Sequence, residues 1–284
     1  MAARSVSAKA RAGRAAEAGA PHALIKTTRP AAGVLVITLS RPEARNTLSR
    51  AMLAALQAAI DAASVEADTR AIVIAGTGPA FSAGHDLREL TRHRGDPDGG
   101  RAFTETLMRA CAQFMRSLVR CPKPVIAAVE GVATAAGCQL VATCDLAVAG
   151  KTARFATPGV NIGFFCSTPM VALSRNVPRK RAMEMLLIGE MLSARQAADY
   201  GLVNRVVPPG TALDAALDLA RTVASKPPAT LAIGKEAFYR QIEMSLGEAY
   251  DYAARVMVEN MLHAEAKEGI GAFLDKRAPD WNKT

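Results

Sequence analysis

The chain has 284 residues, half of them hydrophobic and 21% charged, which excludes disordered, collagen-like and disulfide-scaffold proteins and fits a soluble globular one of one large or two small domains. No apolar run reaches the roughly 18–20 residues that span a bilayer, so no membrane partner is expected. Residues 1–30 supply +5 of the net +9 through Arg4, Lys9, Arg11, Arg14, Lys26 and Arg29 against Glu17; the rest is spread thinly with few aromatics to stack bases, which argues against nucleic acid.

Residues 1–23 are rich in Ala, Arg and Ser and almost free of acid, and are expected to be a disordered basic leader. Two meanings stay open: a mitochondrial transit peptide, which would place the protein in the matrix, or an Ala/Arg-biased leader on a cytoplasmic bacterial protein. Order is expected from about Leu24. Residues 33–39 are β-rich and closed by Arg41-Pro42. Leu48, Met52, Leu53, Leu56 and Ile60 recur mostly at steps of three and four, which predicts a helix. A short apolar strand covers 71–75, a helix 102–120 and a buried strand 124–129, and Leu140 to Ala149 is expected to return to sheet through residues 145–149.

Strands alternating with helices imply right-handed crossovers and a largely parallel sheet covered on both faces. From about residue 180 the pattern becomes helical, over 179–188, 193–200, 212–225, 228–243, 246–263 and 265–276. The expected division is therefore an α/β core over 24–205 and a helical C-terminal segment over 206–284. Met183, Met185, Leu186 and Leu187 are expected in the core. The five cysteines include no CxxC pair and the four histidines have no metal-ligand spacing, so neither a disulfide framework nor a metal site is expected, and a reducing compartment fits.

Two stretches of small residues each follow a strand. In the first, Pro79 to Leu90, Gly84 supplies a permissive backbone and Asp86-Leu-Arg-Glu89 has the spacing of a capping box, with Asp86 as the N-cap of a helix. In the second, Glu130 to Leu140, an Ala/Gly-rich backbone leads into an apolar helix start whose free amides point outward with the positive end of the helix dipole. Two such turns, each after a buried parallel strand, can aim their N–H groups at one point, the arrangement of an oxyanion hole.

The runs Phe81–Leu87, Gly131–Leu140 and Cys144–Ala149 resemble the crotonase (enoyl-CoA hydratase/isomerase) superfamily. So do Arg41–Asn46, Phe155–Gly159, Ala194–Ala197 with Gly201–Val207, and Glu268–Arg277, and the resemblance covers about 24–281 in the right order. It implies an α/β, ClpP-like fold of stacked ββα turns with a helical C-terminal oligomerisation segment, assembled as a homotrimer or a dimer of trimers. It further implies an enzyme of lipid metabolism, a lyase by family, that takes an acyl-CoA thioester, with coenzyme A arriving as part of the substrate and no bound cofactor. On the same resemblance the backbone amides of His85 and Ala136 form the oxyanion hole. Ala83, Asp86, Leu87, Arg88 and Arg45 lie along the ligand, and Phe273 and Lys276 reach a neighbouring subunit's ligand.

The pattern breaks where the resemblance places the two hydratase carboxylates, at Gln139 and Gly159. An amide neither gives nor takes a proton near pH 7 and glycine has no side chain, so water addition lacks its acid/base pair. Other groups remain candidates. The His85 imidazole has either a chemical or a packing role, Asp86 reads as a cap rather than a base, and Cys138 as a small buried hydrophobe. Cys166 is a nucleophile or a pocket-lining thiol, and Asp145 is structural. Three functions stay open: enolate-stabilising acyl-CoA chemistry, acyl-CoA binding without turnover, and hydration through His85 or a water held by Gln139.

Overall fold

The computed structural model describes residues 23–281. The apolar runs wind the chain repeatedly through two sheets. The strands are β1 (Ile25–Ala31), β2 (Val34–Leu39), β3 (Ala71–Gly76), β4 (Ala80–Ser82), β5 (Val125–Val129), β6 (Val132–Thr134), β7 (Leu146–Gly150), β8 (Arg154–Ala156), β9 (Leu192–Ser193) and β10 (Arg205–Val207). The larger sheet has the order β1-β2-β3-β5-β7-β10, parallel except for β1, and the smaller has the order β4-β6-β8-β9, parallel except for β9. Three successive windings, starting at β3, β5 and β7, each give a strand to the larger sheet, then a short strand to the smaller one, then a helix. These are the stacked ββα turns that the resemblance implies.

The helices are α1 (Arg50–Val65), α2 (Leu87–Arg92), α3 (Arg101–Arg120), α4 (Ala136–Thr143), α5 (Ser167–Asn176), α6 (Arg179–Ile188), α7 (Ala194–Asp199), α8 (Ala212–Ala224), α9 (Pro228–Gln241), α10 (Leu246–Leu262) and α11 (Ala264–Leu274). Strands β2, β3 and β5 are buried almost throughout because both faces of the larger sheet are covered, which is why they read as unbroken apolar runs. On one face Leu53, Leu56 and Ile60 of α1 meet Leu107, Phe114 and Leu118 of α3 over Ile37, Ile72 and Ile74. On the other, Ala216, Leu217 and Ala220 of α8 pack on Val36, Val73, Ile126 and Val148. Among the described residues no helix is long and apolar enough to cross a membrane.

Several expectations need correction. Residues 140–143 are the end of α4, not strand; all eight residues of that helix are buried, so no polar face marks its period and the apolar run reads as sheet. Helix α5, with six of its ten residues exposed, has no counterpart among the expected elements. Met183 and Leu187 are 49% and 60% exposed while Met185 and Leu186 are buried, so only one face of α6 enters the core. The expected division after residue 205 runs through β10, and α8 lies on the sheet; the helices that stand off it begin with α9. The basic leader lies, apart from residue 23, outside the described residues.

Helix α9 is tied to the body by a buried cation. Lys235 Nζ, on a side chain 8% exposed, donates to Leu118 O at 2.9 Å, Lys123 O at 3.0 Å and Asp145 Oδ2 at 2.7 Å. The same carboxylate accepts from Tyr239 Oη at 2.8 Å and from the Val125 amide at 2.7 Å, which is the structural role expected of Asp145. Burial, with Asp145 alongside, pushes the Tyr239 phenol far above its ordinary range. Removing the cation strands a buried carboxylate, so Lys235→Met is expected to lower the unfolding free energy by about 3 kcal/mol in urea titration.

Candidate functional site

The first strand-to-helix turn is held from outside by the segment that follows β2. Asn46 is buried with φ of 51°. Its Oδ1 accepts from Arg41 N at 2.8 Å and its Nδ2 donates to Thr77 O and Ala80 O, both at 2.8 Å, so one amide side chain clamps the loop to the β3–β4 turn. Asparagine tolerates this left-handed backbone better than most residues. Ala83 N then donates to Arg45 O at 3.0 Å, and Leu48 N to Gly84 O at 2.7 Å, strapping residues 83–85 in place.

The second turn is pressed directly against the first. Gly84 has φ of +86°, and a Cβ on it would lie 2.9 Å from Ala135 Cβ, 3.0 Å from Thr134 O and 3.1 Å from Ala136 N. Reciprocally, a Cβ on Gly137 would collide with Ser82 O and sit 2.9 Å from Ser82 Cβ. The backbones of 82–84 and 135–137 therefore interlock through two glycines, with no room for a side chain on either. Ala135, the N-cap residue of α4, takes φ of 50° and ψ of −118°, a conformation alanine adopts only under constraint. Neither the N–H of His85 nor that of Ala136 has an acceptor among the described residues.

Around these amides the side chains divide clearly. His85 Nδ1 lies 3.1 Å from Leu48 O; a carbonyl only accepts, so Nδ1 carries the proton and Nε2 is left as an acceptor. That Nε2 is buried and has no partner among the described residues. Desolvation holds the His85 pKa below the ordinary imidazole value, outweighing the Leu48 carbonyl and the Glu89 charge. Asp86 caps α2, accepting from Arg88 N at 2.9 Å and Glu89 N at 3.2 Å, as the sequence predicts. The predicted capping box is not closed, because Glu89 Oε2 accepts instead from Arg50 N at 3.0 Å, at the start of α1. Arg45, Leu87 and Arg88 are exposed beside the turn and Ala83 is half-buried. Phe273 is 81% exposed at the end of α11, with Lys276 just beyond it; α11 packs on α9 and α10.

Gln139 lies one turn of α4 beyond Ala136 and is buried, its Oε1 facing the Cys111 thiol at 4.0 Å. At Gly159 there is no space for the missing carboxylate: a Cβ would lie 2.6 Å from Phe164 O, 2.9 Å from Phe164 Cε2 and 2.9 Å from Cys166 Sγ. Cys166 is buried and its thiol is pushed up by desolvation. Cys138 is pushed up to about 12 by burial, with Cys166 adding to the effect, as expected of a small buried hydrophobe. Neither Phe164, read only as part of the run that carries Cys166, nor Cys111 was given a role from the sequence. Only the aromatic pair preceding Cys166 hints at the first, and nothing local marks the second.

Windings of ββα units with two interlocked strand-to-helix turns define a protein of crotonase type. The chain matches the enoyl-CoA hydratase/isomerase family over residues 29–284 and belongs to that family, as an enoyl-CoA hydratase-like member of the crotonase superfamily. It is 46% identical to enoyl-CoA hydratase domain-containing protein 3, mitochondrial, of Homo sapiens, over 88% of this chain and 81% of that protein. It is 35% identical to the 2,3-dehydroadipyl-CoA hydratase of Escherichia coli (strain K12), over 87% and 94% of the two chains. The crystal structure of enoyl-CoA hydratase from Mycobacterium smegmatis superposes with a TM-score of 0.87 at 50% identity, covering 92% of this chain and 99% of that one.

The depressed pKa of His85 has a signed consequence. Below about pH 6.5 the unfolded chain binds the proton more readily than the folded one, so stability falls with decreasing pH until the folded-state pKa is passed. The loss in melting temperature between pH 6.5 and 5 is expected to be smaller in His85→Gln than in the unaltered protein.

Proposed function

We propose that the protein binds an acyl-CoA thioester, whose carbonyl oxygen accepts from the main-chain amides of His85 and Ala136, and that it stabilises an enolate without adding water. The observation that carries this is the glycine interlock: Gly84 against Ala135 and Ala136 places the two unpartnered amides on adjoining backbones. The Ala136 amide also stands at the start of α4, where the helix dipole favours developing negative charge. Donors held rigid before charge develops cost no reorganisation in the transition state, and losing one such donor typically slows an enzyme about 10²–10³-fold. Being main chain, the Ala136 donor survives its methyl group.

Enolate stabilisation serves decarboxylation of an acyl-CoA or double-bond shifting; the same two donors would serve thioester hydrolysis by holding the tetrahedral oxyanion instead, with water added at the carbonyl and not across a double bond. Hydration is disfavoured because Gln139 has no proton to exchange and the space at Gly159 is filled by Phe164 and Cys166. Cys166, held as a neutral thiol by burial, lines the site rather than attacks, and Cys138 is a buried hydrophobe. Exposed Arg45 and Arg88 beside the first turn suit the phosphates of coenzyme A. A role in lipid metabolism belongs to the same reading, and a mitochondrial location is supported by the likeness to the mitochondrial human relative.

Self-association as a trimer or hexamer is part of the same proposal. Phe238, Ile242, Leu246, Tyr250, Met257 and Met261 are exposed on α9, α10 and the junction between them. Sedimentation equilibrium is expected to give three or six times the chain mass, and a monomer would remove this part of the proposal.

The thioester proposal is tested with two substrates. Binding of butyryl-CoA labelled with ¹³C at the carbonyl is expected to shift its infrared carbonyl stretch to lower frequency; an unshifted band rejects the paired-amide site. Crotonyl-CoA is expected to lose its enoyl absorbance at least about 100-fold more slowly than with hydratases of ordinary turnover, and a rate within about tenfold of those would restore hydration through His85 or a Gln139-held water. Turnover of no ester, with binding intact, would leave acyl-CoA binding as the function.

A further inference from the structure

The two candidate donors are not held alike. The Ala136 amide begins α4, so the helix and the contact with Gly84 fix its direction. The His85 amide precedes α2 by two residues and lies outside any helix. It follows Gly84, whose φ of +86° belongs to the residue type with the freest backbone. A peptide plane beside such a residue turns over more readily than elsewhere. Turning it would present the Gly84 oxygen where the His85 N–H had been.

Leu48 opposes this turn by gripping residue 85 from both sides. Its N–H donates to Gly84 O at 2.7 Å, and the two segments meet as a parallel bridge between Leu48 and His85. In a trans peptide the N–H lies opposite the carbonyl, so this bond directs the His85 N–H away from Leu48. The imidazole then returns to the same residue, Nδ1 donating to Leu48 O at 3.1 Å. Leu48 is a firm anchor: its side chain is wholly buried, and Ser49 beside it caps α1, Oγ accepting from Met52 N at 3.2 Å. Packing alone does not account for the ring. Its Nε2 is buried with no partner among the described residues, a cost that an apolar side chain of similar size would avoid.

We propose that the His85 imidazole is a positioning residue for the oxyanion site: by donating from Nδ1 to Leu48 O it stops the Gly84–His85 peptide plane from turning, and so keeps the His85 N–H aimed at the thioester carbonyl. This rests on the thioester reading above and gives its less supported donor a means of being held. In this role the imidazole neither touches the ligand nor moves a proton. What it needs is a donor at the right distance from the backbone. His85→Asn keeps such a donor, since the amide nitrogen stands the same number of bonds from the main chain as Nδ1. His85→Leu fills much of the volume and cannot hold the plane.

The test compares the unaltered full chain with His85→Leu and His85→Asn, each bound to butyryl-CoA labelled with ¹³C at the carbonyl. In His85→Leu the infrared shift of the bound carbonyl is expected to fall by about half, because one of two donors is released. The preference for butyryl-CoA over free coenzyme A in titration calorimetry is expected to fall about tenfold at most, the contribution of one neutral hydrogen bond. His85→Asn is expected to recover most of both. Long-range ¹H–¹⁵N spectra of the unaltered protein with labelled histidine are expected to show His85 as the Nδ1–H tautomer, and this measurement serves if His85→Leu does not fold. A carbonyl shift in His85→Leu equal to that of the unaltered chain marks the ring as packing, whatever the melting temperature; it overturns this inference and leaves the thioester reading standing. His85→Asn recovering nothing, or an Nε2–H tautomer, also overturns it. If the unaltered chain shows no carbonyl shift, the thioester reading falls and this inference with it.

Discussion

The contact between two backbones, at Ser82 to Gly84 and Ala135 to Gly137, is the constraint on which the site rests. Neither Gly84 nor Gly137 has space for a Cβ, so the two turns approach as closely as main chains can. That closeness forces Ala135 into a left-handed conformation, and the strain is sustained because the surrounding structure leaves no alternative. The supports lie outside the turns themselves. Asn46 clamps the loop before α1, Arg45 and Leu48 strap residues 83 and 84, and the Ala135 amide donates to Ala156 O at 2.9 Å on the neighbouring strand. Every winding of the chain thus contributes to the placement of two amide groups.

Around that frame the polarity of the pocket departs from what hydration needs. Acid/base chemistry calls for groups that exchange protons near neutrality. The walls here carry a carboxamide, a glycine that cannot be extended, and thiols held in their neutral form. On the proposed reading, polarisation of a bound carbonyl would be left to the backbone amides.

Much of this was legible in the sequence where local rules act alone. The boundaries of α3, α6, α8, α9 and α10 agree with the expected ranges to within a residue or two, because periodic apolar faces and flanking turns mark them. The larger sheet was legible through β2, β3 and β5. The three-residue strands β4, β6 and β8 are too short to show alternation, and α4 is buried all round, so both were misread or passed over. The candidate oxyanion residues were found through resemblance, but the reason they adjoin, a reciprocal pair of glycines about fifty residues apart in the chain, has no local signal. Phe164 in the space at Gly159 is likewise a fact of tertiary packing. Glu89 shows the limit of motif spacing: it has the capping-box position and serves a different helix.

All five cysteines are buried and unpaired. Reagents that alkylate thiols act on the thiolate, and burial strongly suppresses that form at Cys111, Cys138 and Cys144. The native fold is consequently shielded from electrophiles at its most reactive atoms, and covalent labelling of these sulfurs becomes a clock for how often the interior opens.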